Sequence, residues 1–306
     1  MHFCVNFARN FRHFDDIDEV ILNDITNLDK VQTFLNEGII NKRSKVILNI
    51  AGSALSSQEL QGAPAIINML KSQGWNIVVK INREDKDLFK SNNIPFFYYM
   101  FAKNLEQVYS QAFDGVSEIY VTEELGFRLK DLQNIKELFD IKYRVIPNIA
   151  QSADNSVFKP MVRFWIRPED TSFYEPLVDT FELLGGKNES RISVIYEIYK
   201  QQQWLGNLDD IILDFSSDSD VKIPNTGINP HFAEMRLNCG RRCLTGAPCN
   251  ICYQMADLAV TFNEVGLKVV QKRVRPERTK EEVDIALEKL KERADELRTN
   301  EDTNNS

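Results

Sequence analysis

Four of the chain's five cysteines fall within fourteen residues, Cys239-Gly-Arg-Arg-Cys243-Leu-Thr-Gly-Ala-Pro-Cys249-Asn-Ile-Cys252, spaced C-x3-C-x5-C-x2-C. Two close pairs on a short link can fold back so that four sulfurs meet at one centre. Thiolate is a soft ligand, and four of them select zinc or an iron–sulfur cluster over calcium or magnesium. Two disulfides or unconnected buried thiols are the alternatives, and disulfides need an oxidising compartment. The opening residues, Met1-His2-Phe3-Cys4-Val5-Asn6, lack the charged region and apolar run of an export signal. A cytoplasmic setting with reduced thiols is therefore expected. A structural zinc suits pairs spaced two and three apart, and an iron–sulfur cluster tolerates the same spacing, with Gly246 and Pro248 shaping the loop. Spacing alone leaves both open. The fifth cysteine, Cys4, sits in an apolar run and reads as a small buried residue.

Three other side chains stand out. Lys80 lies inside the apolar run Ile77–Ile81, where an ammonium without a partner is costly. Glu123 and Glu124 follow Ile119-Tyr120-Val121-Thr122, so one carboxylate should face a site while the other caps a helix. Arg167 ends the run Val162–Ile166, four residues after Arg163 and with the same facing. Turn chemistry and helix caps are the plain alternative for each. Together Lys80, Glu123 and Arg167 suit an anionic or carboxylate-bearing ligand with a general acid or base beside it.

These residues need a scaffold that brings strand ends together. Short apolar runs alternate with amphipathic stretches up to about residue 215. The strand candidates are Phe3–Phe7, Val46–Ile50, Ile77–Ile81, Phe96–Met100, Glu118–Val121, Tyr143–Ile146, Val162–Ile166 and Ile211–Phe215. Helical spacing is expected near Gln58–Gln73, Leu105–Phe113, Leu129–Phe139, Phe173–Leu184 and Arg191–Gln203. In the third of these, Leu129, Leu132, Ile135, Leu138 and Phe139 would share one face. Val/Ile/Phe-rich strands separated by helices predict a parallel sheet covered on both faces. Eight of them fit a (βα)8 TIM-type barrel of the usual ~250 residues. A ninth run, Glu19–Leu22, competes for a place, and an open doubly wound sheet is the alternative. In either architecture ligands bind beyond the carboxyl ends of the strands. Asn6, Asn49, Gly52, Tyr99, Asn148 and Asp214 lie at those ends.

The expected organisation is a barrel over residues 1–215, a connector with the four-cysteine metal-binding segment over 216–274, and a charged helix with a disordered tail over 275–306. Thr279 and Glu282 form a capping-box pattern at the start of that helix, which reads as a solvated or partner-binding arm. The net charge of −8 excludes DNA binding by bulk charge, and no apolar run approaches the ~20 residues that span a bilayer. The G-x-x-x-x-G-K-[ST] loop, the G-x-G-x-x-G turn, H-E-x-x-H and G-x-S-x-G are all missing. His2, His13 and His231 are the only histidines, too few for a histidine-rich catalytic metal.

Asp114-Gly115-Val116-Ser117-Glu118-Ile119-Tyr120-Val121 resembles the G-(A/V)-x-E-(I/V)-Y-V strand entry of the collagenase-like peptidase family, and the late, arginine-containing cysteine segment is similar in character. The resemblance covers about residues 76–150 and the cysteine segment. It implies a TIM-type barrel and, as in many members that are not proteases, an iron–sulfur protein that modifies RNA bases or quinone precursors. This chain departs from the family in its compact cysteine cluster. The combined expectation is an iron–sulfur enzyme of modification or redox type acting on a nucleic-acid base or small aromatic substrate. Cys239, Cys243, Cys249 and Cys252 would hold the metal. The alternative is a non-catalytic barrel with a structural zinc and a protein partner on the C-terminal helix.

Overall fold

The computed structural model describes residues 2–6, 16–23, 25, 28–53, 55–121, 125, 129–149, 165–186, 191–213 and 224–238. Eight strands close into a parallel barrel in sequence order: β1 (His2–Asn6), β2 (Glu19–Leu22), β3 (Lys45–Asn49), β4 (Asn76–Ile81), β5 (Phe96–Tyr98), β6 (Glu118–Tyr120), β7 (Lys142–Val145) and β8 (Thr180–Leu183). Each pairs with the next, and β8 returns to β1 with His2 opposite Thr180 and Cys4 opposite Glu182. The helices between them are α1 (Leu28–Asn36), α2 (Ser57–Ser72), α3 (Lys86–Ser91), α4 (Leu105–Asp114), α5 (Leu129–Phe139) and α6 (Thr171–Tyr174), and α7 (Arg191–Gln201) and α8 (Phe232–Asn238) follow β8. This is a TIM-type barrel.

The helices start and stop where local chemistry dictates. Before α2, Ser56 accepts from the Glu59 amide while the Glu59 carboxylate accepts from the Ser56 amide, at 3.3 and 2.9 Å. That closes a capping box. Before α4, the Asn104 side chain accepts from the Gln107 amide, and α4 ends on Gly115 at φ 83°, the left-handed conformation that glycine adopts without strain. The next residues turn directly into β6. The glycine of the G-V-x-E-I-Y-V stretch is thus a helix stop.

Two strands differ from the sequence expectation. Glu19–Leu22, the ninth run, is β2 and is buried throughout. The expected helix Phe173–Leu184 breaks after Tyr174, and its second half is β8, Thr180–Leu183. Its Thr-Phe-Glu-Leu sequence is half polar because Thr180 and Glu182 face the barrel interior and join an ionic cluster there. Conversely, Trp165–Arg167 form no strand, and Ile211–Leu213 contribute one isolated bridge, Ile149 to Leu213. Trp165, Ile166, Ile211 and Ile212 are nonetheless buried, Ile166 within the core beneath the helices. On α5, Leu132 and Ile135 are buried as expected, but Leu138 is exposed.

Side chains alternate in and out along each strand. Outward residues such as Phe3, Val5, Val46, Leu48, Val79 and Ile119 form the large core beneath the helices. Inward residues stack in layers of four from alternate strands, as the staggered register of such a barrel requires. From the N-terminal end these are Glu19, Val78, Glu118 and Thr180; then Cys4, Ile47, Phe97 and Arg144; then Ile21, Lys80, Tyr120 and Glu182. Asn6, Asn49, Tyr99 and Ile146 ring the C-terminal opening. The domain boundaries expected near residues 215 and 275 lie outside the described residues.

Candidate active site

An interior built from Glu19, Glu118, Arg144, Lys80 and Glu182 departs from the branched apolar filling of most such barrels. Its centre is Arg144, fully buried. The guanidinium donates to the Glu118 carboxylate through Nε at 3.1 Å and Nη2 at 2.6 Å, and to Glu19 through Nη2. Lys45 closes the lower side, 2.5 Å from both Glu19 and Glu118. Burial alone would push the Glu118 carboxyl up. The charges of Arg144 and Lys45 outweigh that and hold it down at about 2. Burial likewise disfavours the Arg144 cation, and Glu118 and Glu19 more than compensate, so it stays charged.

Above Arg144 the network runs toward the C-terminal opening. Arg144 Nη1 lies 3.7 Å from Glu182 Oε2 without a hydrogen bond of its own. Glu182 accepts a short hydrogen bond from the Tyr120 hydroxyl, and that hydroxyl accepts from Lys80 Nζ at 3.0 Å. The Lys80 ammonium also sits over two rings, 4.7 Å from the centroid of Tyr120 and 5.0 Å from that of Tyr99. Burial first, and then the Glu182 charge, push the Tyr120 phenol well above its usual range, so it remains a neutral donor. Lys80 is the cation of this line nearest the opening. Tyr99, Met100 and Phe101 extend β5 beyond it as exposed apolar side chains, with Phe101 4.9 Å from the Tyr120 ring.

On the other side of the opening three asparagines are joined. Asn49 donates to Asn23 at 2.7 Å, Asn23 donates to Asn6 at 3.0 Å, and the Gly52 amide donates to Asn49 at 3.2 Å. A Cβ on Gly52 would stand 2.8 Å from Asn49 Nδ2, so glycine lets this loop approach the strand end.

The residues named from sequence are placed as follows. Lys80 faces inward at the C-terminal end of β4 and has the Tyr120 partner that its burial requires. Arg167 is 2% exposed and lies at the start of a short 3-10 helix, Pro168–Asp170, rather than at a strand end. Its guanidinium makes a two-pronged pair with Asp170 at 2.6 and 2.9 Å, donates to the carbonyls of Asn229 and Pro230, and covers the Phe232 ring. With Trp165 also against Phe232, at 5.3 Å between ring centroids, Arg167 fastens α8 to the barrel. Among the described residues Lys80 and Arg167 share no partner. Asn148 clips the chain instead of facing a ligand, bonding the Leu184 amide and the carbonyls of Leu184 and Ile211. Glu123, Arg163, Asp214 and all four clustered cysteines lie outside the described residues. Cys4 is fully buried, and burial raises its thiol well above the usual range.

Tyr120, Glu182 and Arg144 were not singled out from the sequence. The signal that marked Lys80, a charge alternating with apolar neighbours, is also present in Lys142-Tyr143-Arg144-Val145 and Glu118-Ile119-Tyr120-Val121. For Glu182 it was hidden by the helical reading of its segment.

The fold and interior define a TIM-type barrel, an architecture that commonly carries enzymatic sites at this end of its strands. No protein-family model matches the chain, and no curated protein matches it. The resemblance to collagenase-like peptidases therefore extends to the barrel and is not supported by any family match. Among the described residues no group of three or more His, Cys, Asp or Glu could hold a metal ion, and no helix is long and apolar enough to cross a membrane.

Proposed function

We propose that the chain is an enzyme whose substrate, a nucleic-acid base or small aromatic compound, enters the C-terminal opening of the barrel and meets the Lys80–Tyr120–Glu182 line. The supporting observation is that, among the described residues, a nearly buried ammonium is held at this opening by a neutral phenol and two aromatic faces rather than by a carboxylate. Such a cation can donate to a carbonyl or anionic oxygen on the ligand and stabilise charge that develops there. Tyr120 fixes the Lys80 direction, and Glu182 fixes Tyr120.

Cys239, Cys243, Cys249 and Cys252 are the candidate metal ligands. Four thiolates suit an iron–sulfur cluster, with zinc as the alternative. A cluster would supply redox capacity. The Arg167 clamp holds Asn229, Pro230 and Phe232, seven to ten residues before Cys239. Glu123, three residues beyond Tyr120, is the remaining candidate acid or base. The second reading, a zinc-pinned scaffold with a partner on the C-terminal helix, draws on the same clamp.

Purification without oxygen separates them. A brown protein with iron and acid-labile sulfide, colourless when Cys243 and Cys249 are replaced by serine, is expected. A colourless wild-type protein with one zinc would refute the iron–sulfur proposal. Lys80→Met should also abolish binding of free bases and nucleosides by the wild-type fold, and unchanged affinity would refute the site.

A further inference from the structure

The opposite, N-terminal face of the barrel holds a cleft of about 430 Å3. That volume is in the range of small-molecule sites. Its lining includes the largely buried Lys45 and Glu19 and the exposed Arg43, Asn76 and Lys142.

The cleft contains carboxylates, but each already has a partner. Asp18 accepts from the Phe3 amide at 3.1 Å and pairs with His2 at 3.4 Å. Asp179 holds Lys136 at 2.7 Å and accepts from the Tyr143 amide at 2.8 Å. Asp16 pairs with Lys200 at 3.3 Å, and Glu19 is taken by Lys45, Arg144 and Thr180. The donors are less fully used. The side chains of Arg43 and Lys142 make no hydrogen bond or ion pair among the described residues, and neither does the Asn76 amide. The lining side chains without a partner among the described residues thus include one guanidinium, one ammonium and the Asn76 amide, beside a Glu19 carboxylate held by Lys45 and Arg144.

We propose that this cleft is a second binding site that takes a small oxyanion, a phosphate or carboxylate group, between Arg43 and Lys142. A guanidinium matches two oxygens of either group at once, and Lys142 adds a point charge from across the opening. The site is separate from the C-terminal opening and does not depend on the reading of that end.

The test uses the full chain with inorganic phosphate and, separately, succinate, each titrated at constant ionic strength made up with chloride. Thermal unfolding and calorimetric binding are recorded. Saturable stabilisation by phosphate, succinate or both is expected, and the pattern tells the two oxyanion classes apart. Arg43→Gln and Lys142→Gln, both at exposed positions, should each weaken binding roughly tenfold or more, the loss of one charge-assisted contact. Lys30→Gln, an exposed charge on α1 outside the cleft, should leave it unchanged. No saturable effect of either anion on the wild type, or equal affinity in the Arg43 and Lys142 variants, would overturn the proposal.

Discussion

Replacing Arg144 by methionine removes the charge that Glu19 and Glu118 share inside the barrel, and with it the guanidinium contacts to the Phe97 and Tyr120 rings. Removing one partner of a buried pair costs about 3–5 kcal/mol, because the other charge stays behind without compensation. The Glu118 carboxyl gives a second measure. It is lowered from 4.5 to about 2, which corresponds to about 3 kcal/mol at ~1.4 kcal/mol per unit, shared between Arg144 and Lys45. A loss of about 3 kcal/mol near pH 7 follows. Its pH dependence has a definite sign. The folded carboxyl is depressed, so its stabilisation is fully present above the ordinary value of 4.5 and is lost as pH falls toward 2. In the variant the carboxyl has lost its main cation, protonates at higher pH, and is relieved by acid sooner. The gap between wild type and Arg144→Met should therefore narrow as pH is lowered from about 7 to about 3. Urea unfolding across that range measures it, with the slope compared to confirm that the unfolded state is unchanged. A gap below about 1 kcal/mol at neutral pH, or one that does not change with acid, would refute the account of the interior as a charge-balanced cluster.

Two further outcomes follow from the same geometry. Arg167→Ala removes the two-pronged pair with the nearly buried Asp170 carboxylate and the donors to the Asn229 and Pro230 carbonyls, so it should cost about 3 kcal/mol by the same reasoning. Amide exchange over residues 224–238 should rise, whereas ligand binding that depends on Lys80 should persist; the reverse pattern would return Arg167 to the site. Tyr120→Phe removes the hydroxyl between Lys80 and Glu182 and should cost about 1–3 kcal/mol, the range for stranding buried polar groups. Because burial and Glu182 keep that phenol protonated, the ultraviolet titrations of wild type and variant should coincide through the ordinary phenol range, and a step there missing from the variant would contradict it.

The barrel was legible because its outward faces follow the common rule: Phe3, Val46, Val79 and Ile119 are apolar wherever a strand meets a helix. What was less legible was the interior. A strand of a parallel barrel is buried on both sides, so both sides are expected to be apolar, and a polar inward face makes a true strand look like something else. That is why Thr180-Phe-Glu-Leu183 resembled part of a helix and Glu19-Val-Ile-Leu22 remained a doubtful ninth run. The same effect in reverse gave Trp165–Ile166 and Ile211–Ile212 the look of strands, because they are apolar and buried without joining the sheet. Lys80 could be found from sequence since a lone charge among Ile77, Val78, Val79 and Ile81 demands a partner. Its partner could not, because the Tyr120 hydroxyl arrives from a strand forty residues away and Glu182 from one sixty-two further on. Those separations are set by the barrel's closure, so the requirement for a partner was readable in one strand while its identity depended on the packing of three.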